Sequence, residues 1–86
     1  MRVLVPTALR SYTAGKAEVE GRGETLREVL EALDEDFPGV RFRIVDEQDG
    51  IRTHIKFFVG GEPAASLDAG VGEGVQVQII CALSGG

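Results

Sequence analysis

Apolar and polar positions alternate along this chain in short runs, interrupted once by a helical period. Arg2–Pro6 is a brief apolar run that reads as a first strand, with Pro6 confined to its end or edge because it has no N–H for a ladder. Thr7–Gly15 reads as a connection whose Leu9 and Tyr12 fold back onto the core, and Ala17–Glu20 as a second strand with Val19 as its strongly apolar residue. Gly21-Arg-Gly23 breaks that pattern. Thr25-Leu-Arg-Glu28 then fits a capping box, in which the Thr hydroxyl accepts an early helix N–H and the Glu reaches back. Leu26, Val29, Leu30, Leu33 and Phe37 follow at helical spacing on one face, with Glu31, Asp34 and Glu35 mainly on the other. Pro38-Gly39 ends the helix.

Val40–Val45 fits two readings, a strand or an irregular turn holding Phe42 and Ile44 inward. Asp46–Gly50 is a polar turn. His54–Val59 alternates as a strand, with Ile55, Phe57 and Val59 to one side and His54, Lys56 and Phe58 to the other. Gly60-Gly61 suits a two-residue hairpin, because both positions tolerate positive φ, and Glu62–Ala65 returns as a short strand. Asp68–Gly74 is a loop. Val75, Val77, Ile79, Cys81 and Leu83 form one face of a last strand, with Gln76, Gln78 and Ile80 on the other. Strands, one helix and further strands predict a small α+β domain with the helix packed across a mixed sheet.

Composition narrows the function. Eighty-six residues make one domain with a limited core and little room for a deep enzyme pocket. A hydrophobic share of 43% and a charged share of 27% fit a globular chain. The net charge of −5 disfavours nucleic acid and anionic membrane surfaces, where Lys and Arg must meet phosphate. One cysteine excludes an internal disulfide and fits a reducing, cytoplasmic setting. No run is long and apolar enough to span a bilayer, and Met1–Pro6 is too short for a signal sequence.

Chemistry-bearing groups are sparse. His54 and Cys81 are far apart in sequence and nothing pairs them as base and nucleophile, so no catalytic residue is assigned. No Cys/His spacing forms a zinc site, and no metal is expected. Gly70–Gly74 lacks the lysine and helix of a phosphate loop, and Asp68 and Glu73 would repel phosphate. Cys81, on the apolar face of its strand, reads as a buried, unreactive thiol. His54 reads as a strand-edge residue and the acidic helix face, Glu28 to Asp36, as solvated. Phe58 and Ile80, both opposite to the core face of their strands, form either an exposed partner-docking patch or a pair covered by another loop.

The remaining signal is Gly85-Gly86, directly after the last strand. A Gly-Gly carboxylate has no side chain to block its entry into another enzyme's active site. Leu83 to Gly86 spans ~13 Å when extended, enough to reach into such a channel. A helix across a mixed sheet, with the last strand running into Gly-Gly, looks like the β-grasp, or ubiquitin-like, architecture, here a domain over 1–83 and a flexible tail over 84–86.

Val3–Arg10, Glu24–Leu30, Asp36–Val40, Phe57–Pro63 and Gly72–Val77 resemble, in order and spacing, successive segments of the MoaD/ThiS family of bacterial sulfur carriers. Pro6–Arg10 and the long stretch between helix and hairpin look closest to the CysO-type branch, tied to cysteine biosynthesis. Similar carriers feed sulfur-containing secondary metabolites. The tail Ile80-Cys-Ala-Leu-Ser84 departs from the proline-containing approach common in the small subunit of molybdopterin synthase, which disfavours that role.

The resemblance implies a protein cosubstrate, not an enzyme. An adenylating sulfurtransferase related to ubiquitin-activating (E1-like) enzymes would use ATP and magnesium to activate Gly86, and this chain would bind no cofactor itself. A sulfur donor would convert the adenylate to a thiocarboxylate, and a sulfur-accepting synthase, cysteine synthase-like or other, would take the sulfur. Gly85, Ser84 and Leu83 would thread into the partner. A ubiquitin-like modifier that forms isopeptide bonds needs the same adenylated end, and a plain β-grasp binding module needs none of it.

Overall fold

The computed structural model describes residues 1–82. Five strands form one mixed sheet: β1 (Arg2–Leu4), β2 (Glu18–Glu20), β3 (Ile55–Val59), β4 (Glu62–Ala64) and β5 (Val77–Cys81), in the order β2-β1-β5-β3-β4. The central β5 runs parallel to β1, with Val3 beside Val77, and antiparallel to β3, with Phe57 opposite Ile79. The outer pairs are antiparallel, Val3 opposite Val19 and Phe57 opposite Ala64. This is the β-grasp arrangement that the element order predicts. The last strand is shorter than the Val75–Leu83 expected from alternation: Val75 stays in the turn, its N–H donating to the Gly72 carbonyl. The Leu83 end of that run and the Ser84–Gly86 tail lie outside the described residues.

Alternation decides which side of the sheet is covered. Val3, Val19, Ile55, Phe57, Val77 and Ile79 are all buried on one face. Helix α1 (Leu26–Asp36), ~16 Å long at its rise per residue, presents buried Leu26, Val29, Leu30 and Leu33 to the same core. Its start is the capping box read from the sequence. Thr25 Oγ1 accepts the Glu28 N–H at 3.2 Å, and Glu28 Oε1 accepts the N–H of Glu24 at 2.9 Å, one residue earlier than the capping residue itself. Thr25→Ala therefore removes one partner of an otherwise orphaned helix donor, and chemical denaturation is expected to show a loss of ~1 kcal/mol. An unchanged midpoint would mean that the cap is dispensable.

The hairpin behaves as its glycines require. Gly60 and Gly61 both take left-handed φ, +58° and +84°, as a type I′ turn between β3 and β4 demands. Gly23, at φ +141°, has no room for a side chain: a Cβ there would stand 2.8 Å from the Val29 nitrogen at the start of α1.

Two segments differ from the sequence reading. Thr7–Tyr12, read as a plain connection, is a 3₁₀ helix, and it does seat Leu9 in the core with Tyr12 packed against it. Val40–Val45 is neither strand nor irregular turn. Val40–Ile44 forms one helical turn, α2, which buries Val40 and Ile44 and leaves Phe42 53% exposed, not inward. The cause is local: Asp34 Oδ1 accepts the N–H groups of both Gly39 and Arg41 at 3.1 Å, restarting the helix past Pro38-Gly39. On a helix, residues four apart share a face and a residue two away from each does not. The polar turn after α2 is held by Asp46, whose carboxylate accepts the N–H groups of Gly50 and Gln48, and these bonds lower its pKa. Arg27 ties α1 to that turn through Asp49 at 2.9 Å and to the loop after β4 through Asp68 at 3.1 Å. Among the described residues no helix is long and apolar enough to cross a membrane.

Candidate functional site

The site is the end of the sheet where β5 leaves it. β1 and β5 are parallel, so Leu4 and Cys81 end at the same side, and antiparallel β3 begins there at Ile55, opposite Cys81. The Ala82 N–H donates to the His54 carbonyl at 2.7 Å, extending the pairing one residue past the strand. The chain that leads to Gly-Gly thus runs as the middle strand of the sheet, paired with β1 at Val77 and Gln78 and with β3 along its whole length to Cys81. Such a strand is a mount, with the β3 ladder and the Ala82–His54 bond setting its direction at the end of the sheet.

Two grooves flank this exit. One, of ≈620 Å³, lies between the start of the 3₁₀ helix and β5, lined by Leu4, Pro6, Arg10, Ala17, Ile80 and Cys81 among others. The other, of ≈570 Å³, lies over β3 and β4, lined by Arg52, Thr53, Lys56, Phe58, Pro63 and Ala65 among others. Arg10 is aimed by its Nε, which donates to the Val5 carbonyl at 3.1 Å. Buried Thr13 fixes the turn after the 3₁₀ helix, its hydroxyl donating to the Lys16 carbonyl at 2.9 Å. Arg10 entered the sequence reading only as the end of the Pro6–Arg10 segment, with no role of its own, and Thr13 was not singled out. Both sit in a segment without strand or α-helical period.

Phe58 and Ile80 lie on the sheet face opposite α1, each half-buried. The register places Lys56 opposite Ile80 and Gln78 opposite Phe58, so the two apolar residues are diagonal neighbours, each lining a different groove. Cys81 does point to the core face beside Ile55 and packs against it, but it is half-buried, not sealed, because β5 ends there and the groove opens on it. His54 is exposed, in the turn immediately before β3. Gly86, Gly85, Ser84 and Leu83 lie outside the described residues. Among the described residues no group of three or more His, Cys, Asp or Glu is placed to hold a metal ion.

Comparison with known proteins agrees with this geometry. The model of the ThiS family matches residues 3–86. Sulfur carrier protein CysO of Mycobacterium tuberculosis is 29% identical over 98% of this chain and 96% of its own length. Among solved structures, the Amycolatopsis orientalis BexX/CysO complex contains a chain 31% identical, with a TM-score of 0.91 over 99% of this chain and 98% of that one. Mycobacterium tuberculosis CysO superposes with a TM-score of 0.87 at 26% identity, covering 95% of this chain and 98% of that one.

Proposed function

Because the chain belongs to the ThiS family, we propose that it is a sulfur carrier whose Gly86 is converted to a thiocarboxylate by a partner enzyme. The observation that carries this reading is the mount: Gly-Gly stands a few residues after the central strand of a β-grasp sheet, which β3 holds to its last residue. The full-length match to proteins named as sulfur carriers supports it.

The chemistry divides between chain and partners. An adenylating enzyme supplies ATP and magnesium. An oxygen of the Gly86 carboxylate attacks the α-phosphate and pyrophosphate leaves. The acyl-adenylate then exchanges its leaving group: sulfur at the oxidation level of sulfide attacks the acyl carbon, and AMP departs with the bridging oxygen. The product carries one sulfur in place of one carboxylate oxygen. A second partner, a sulfur-accepting synthase of cysteine or secondary-metabolite biosynthesis, takes that sulfur in a reducing, cytoplasmic compartment. In this scheme the chain supplies the acyl group and the docking surface, and catalysis belongs to the partners. Leu83, Ser84 and Gly85 pass through the partner's channel, and the diagonal pair Phe58 and Ile80 offers apolar contact beside it.

Cys81→Ser separates this scheme from sulfur transfer through the thiol. Loading with ATP, sulfide and the activating enzyme, followed by intact-mass measurement, is expected to proceed within about twofold of the parent, since the substitution changes only a half-buried group beside Ile55. Complete loss of loading in a folded Cys81→Ser variant would move the sulfur chemistry onto the thiol. The same incubations run on a denaturing reducing gel test the modifier alternative: covalent adducts that survive reductant would favour an amine, not sulfur, as acceptor.

A further inference from the structure

The chain is acidic overall, yet its acids are unevenly placed. Residues 1–17, 37–45, 50–61 and 74–86 contain no Asp or Glu at all. The topology brings parts of all four stretches to the end of the sheet where β5 leaves. Val5 to Ala17 departs from β1 there and returns into β2, residues 52–54 enter β3 there, β5 ends there, and α2 packs on the 3₁₀ helix.

The cations divide in the same way. Arg2, Arg22, Arg27 and Arg41 each pair with one or more carboxylates. Arg10, Lys16, Arg43, Arg52 and Lys56 have no carboxylate partner among the described residues. All five stand on the segments that gather at the β5 exit. Arg10 shares a groove with Cys81, and Lys16 precedes Ala17 of the same groove. Arg52 and Lys56 share the other groove with Ile55. Arg43 reaches over the ring of Tyr12, the last residue of the 3₁₀ helix, at 5.1 Å. Two acids stand near the collar: Glu18 is taken by Arg2 at 3.3 Å, and Asp46, whose charge Arg52 feels without an ion pair, is occupied by the Gly50 and Gln48 N–H groups.

Two of the guanidinium groups are held in place without a carboxylate at ion-pair distance among the described residues. Arg43 stacks on Tyr12, and Arg52 stacks on exposed Phe42 at 5.0 Å while its Nε donates to the Phe42 carbonyl at 2.9 Å. Lying over a ring occupies the flat face of a guanidinium, and the Nη1/Nη2 edge of both groups, which makes no hydrogen bond among the described residues, is left to receive a carboxylate with two parallel bonds.

We propose that this basic collar is a docking surface for an acidic protein surface, the rim around the channel through which a partner admits the tail. The inference deepens the carrier reading and rests on its premise that the tail threads into a partner. The occupant follows from charge. Outside the collar's five cations the chain has four cations against fourteen Asp and Glu, most of them away from the collar, so a rim of Asp and Glu is attracted at the collar and repelled by the rest of the surface. Orientation is then set before the tail reaches the channel. A nucleic acid, charged along its whole length, meets that same repulsion beyond the collar.

The test titrates the isotope-labelled chain with an octaglutamate peptide at low ionic strength and follows backbone amide shifts. The expected shifts cluster on residues 8–16, 42–44, 52–56 and 80–82, and the affinity falls about tenfold in a Lys16→Gln/Arg43→Gln/Lys56→Gln variant. These three side chains make no hydrogen bond among the described residues, so the variant keeps the fold. Arg22→Gln, at a cation paired with Glu35 and Asp36, is expected to bind within twofold of the parent. No saturable binding, shifts centred away from these segments, or tighter binding of a single-stranded oligonucleotide of equal charge would overturn the inference. Sulfur loading of Gly86 is measured separately. Loading without peptide binding removes the collar and keeps the carrier, and peptide binding without loading does the reverse.

Discussion

Deletion of Gly86 is expected to abolish sulfur loading and leave the melting temperature where it is. In the proposed chemistry the reacting carboxylate must sit at the end of two side-chain-free residues. Shortening the chain to Gly85 leaves a carboxylate one residue, ~3.5 Å, short of the position the partner activates. That error is larger than the sub-ångström placement that reacting atoms require. Stability is expected to hold within ~0.5 kcal/mol, because among the described residues the buried core cluster lies between Val3 and Ile79. Loading is read by intact mass and folding by thermal denaturation, so the two effects are separable. A truncated chain that loads at the parental rate would remove Gly86 from the mechanism. A truncated chain that melts early would mean that the tail is part of the fold.

Phe57→Ala is expected to give the opposite outcome, a large loss of stability with the tail untouched. Phe57 is 1% exposed on β3, between Ile79 of β5 and Ala64 of β4, and faces α1 across the core. Truncating a buried aromatic costs ~3–5 kcal/mol, transfer and cavity terms together. A chain of this size has a total stability of about 5–15 kcal/mol, and each kcal/mol moves the melting midpoint by ~4–8 °C. The midpoint is therefore expected to fall by at least ~12 °C. Phe58→Ala, one residue along and only half-buried on the opposite face, is expected to cost clearly less. Equal losses at the two positions would contradict the assignment of the core face.

The features legible in the sequence are those set by local period and turn chemistry. The alternation of Ile55, Phe57 and Val59 fixed a face, the Thr25 cap fixed a helix start, and two glycines in succession fixed a hairpin. α2 was illegible for a specific reason. Val40 and Ile44 suit a helix and Phe42 and Ile44 suit a strand, and the choice rests on Asp34, which reaches across Pro38-Gly39 from the preceding helix. Those bonds are local, but no hydrophobic period or turn signature in the sequence announces them. Cys81 was read one step too deep, because alternation gives the side a residue faces and not where the strand ends.

The candidate site divides in the same manner. Gly85-Gly86 and the apolar positions Phe58 and Ile80 stand out in the sequence. The diagonal relation of Phe58 to Ile80 depends on the β3–β5 register. The gathering of unpaired cations around the exit depends on β1 and β5 being parallel neighbours, which brings residues 10 and 16 to the same end as residues 52 and 56. No spacing along the chain encodes that meeting.

The most direct test of the account is intact-protein mass spectrometry of the chain from its native host, and after incubation with ATP, sulfide and an adenylating enzyme active on a known carrier. The predicted result is a gain equal to sulfur replacing one oxygen, located on the C-terminal peptide and absent without ATP. An unchanged mass with that enzyme shown to be active would contradict the sulfur-carrier assignment.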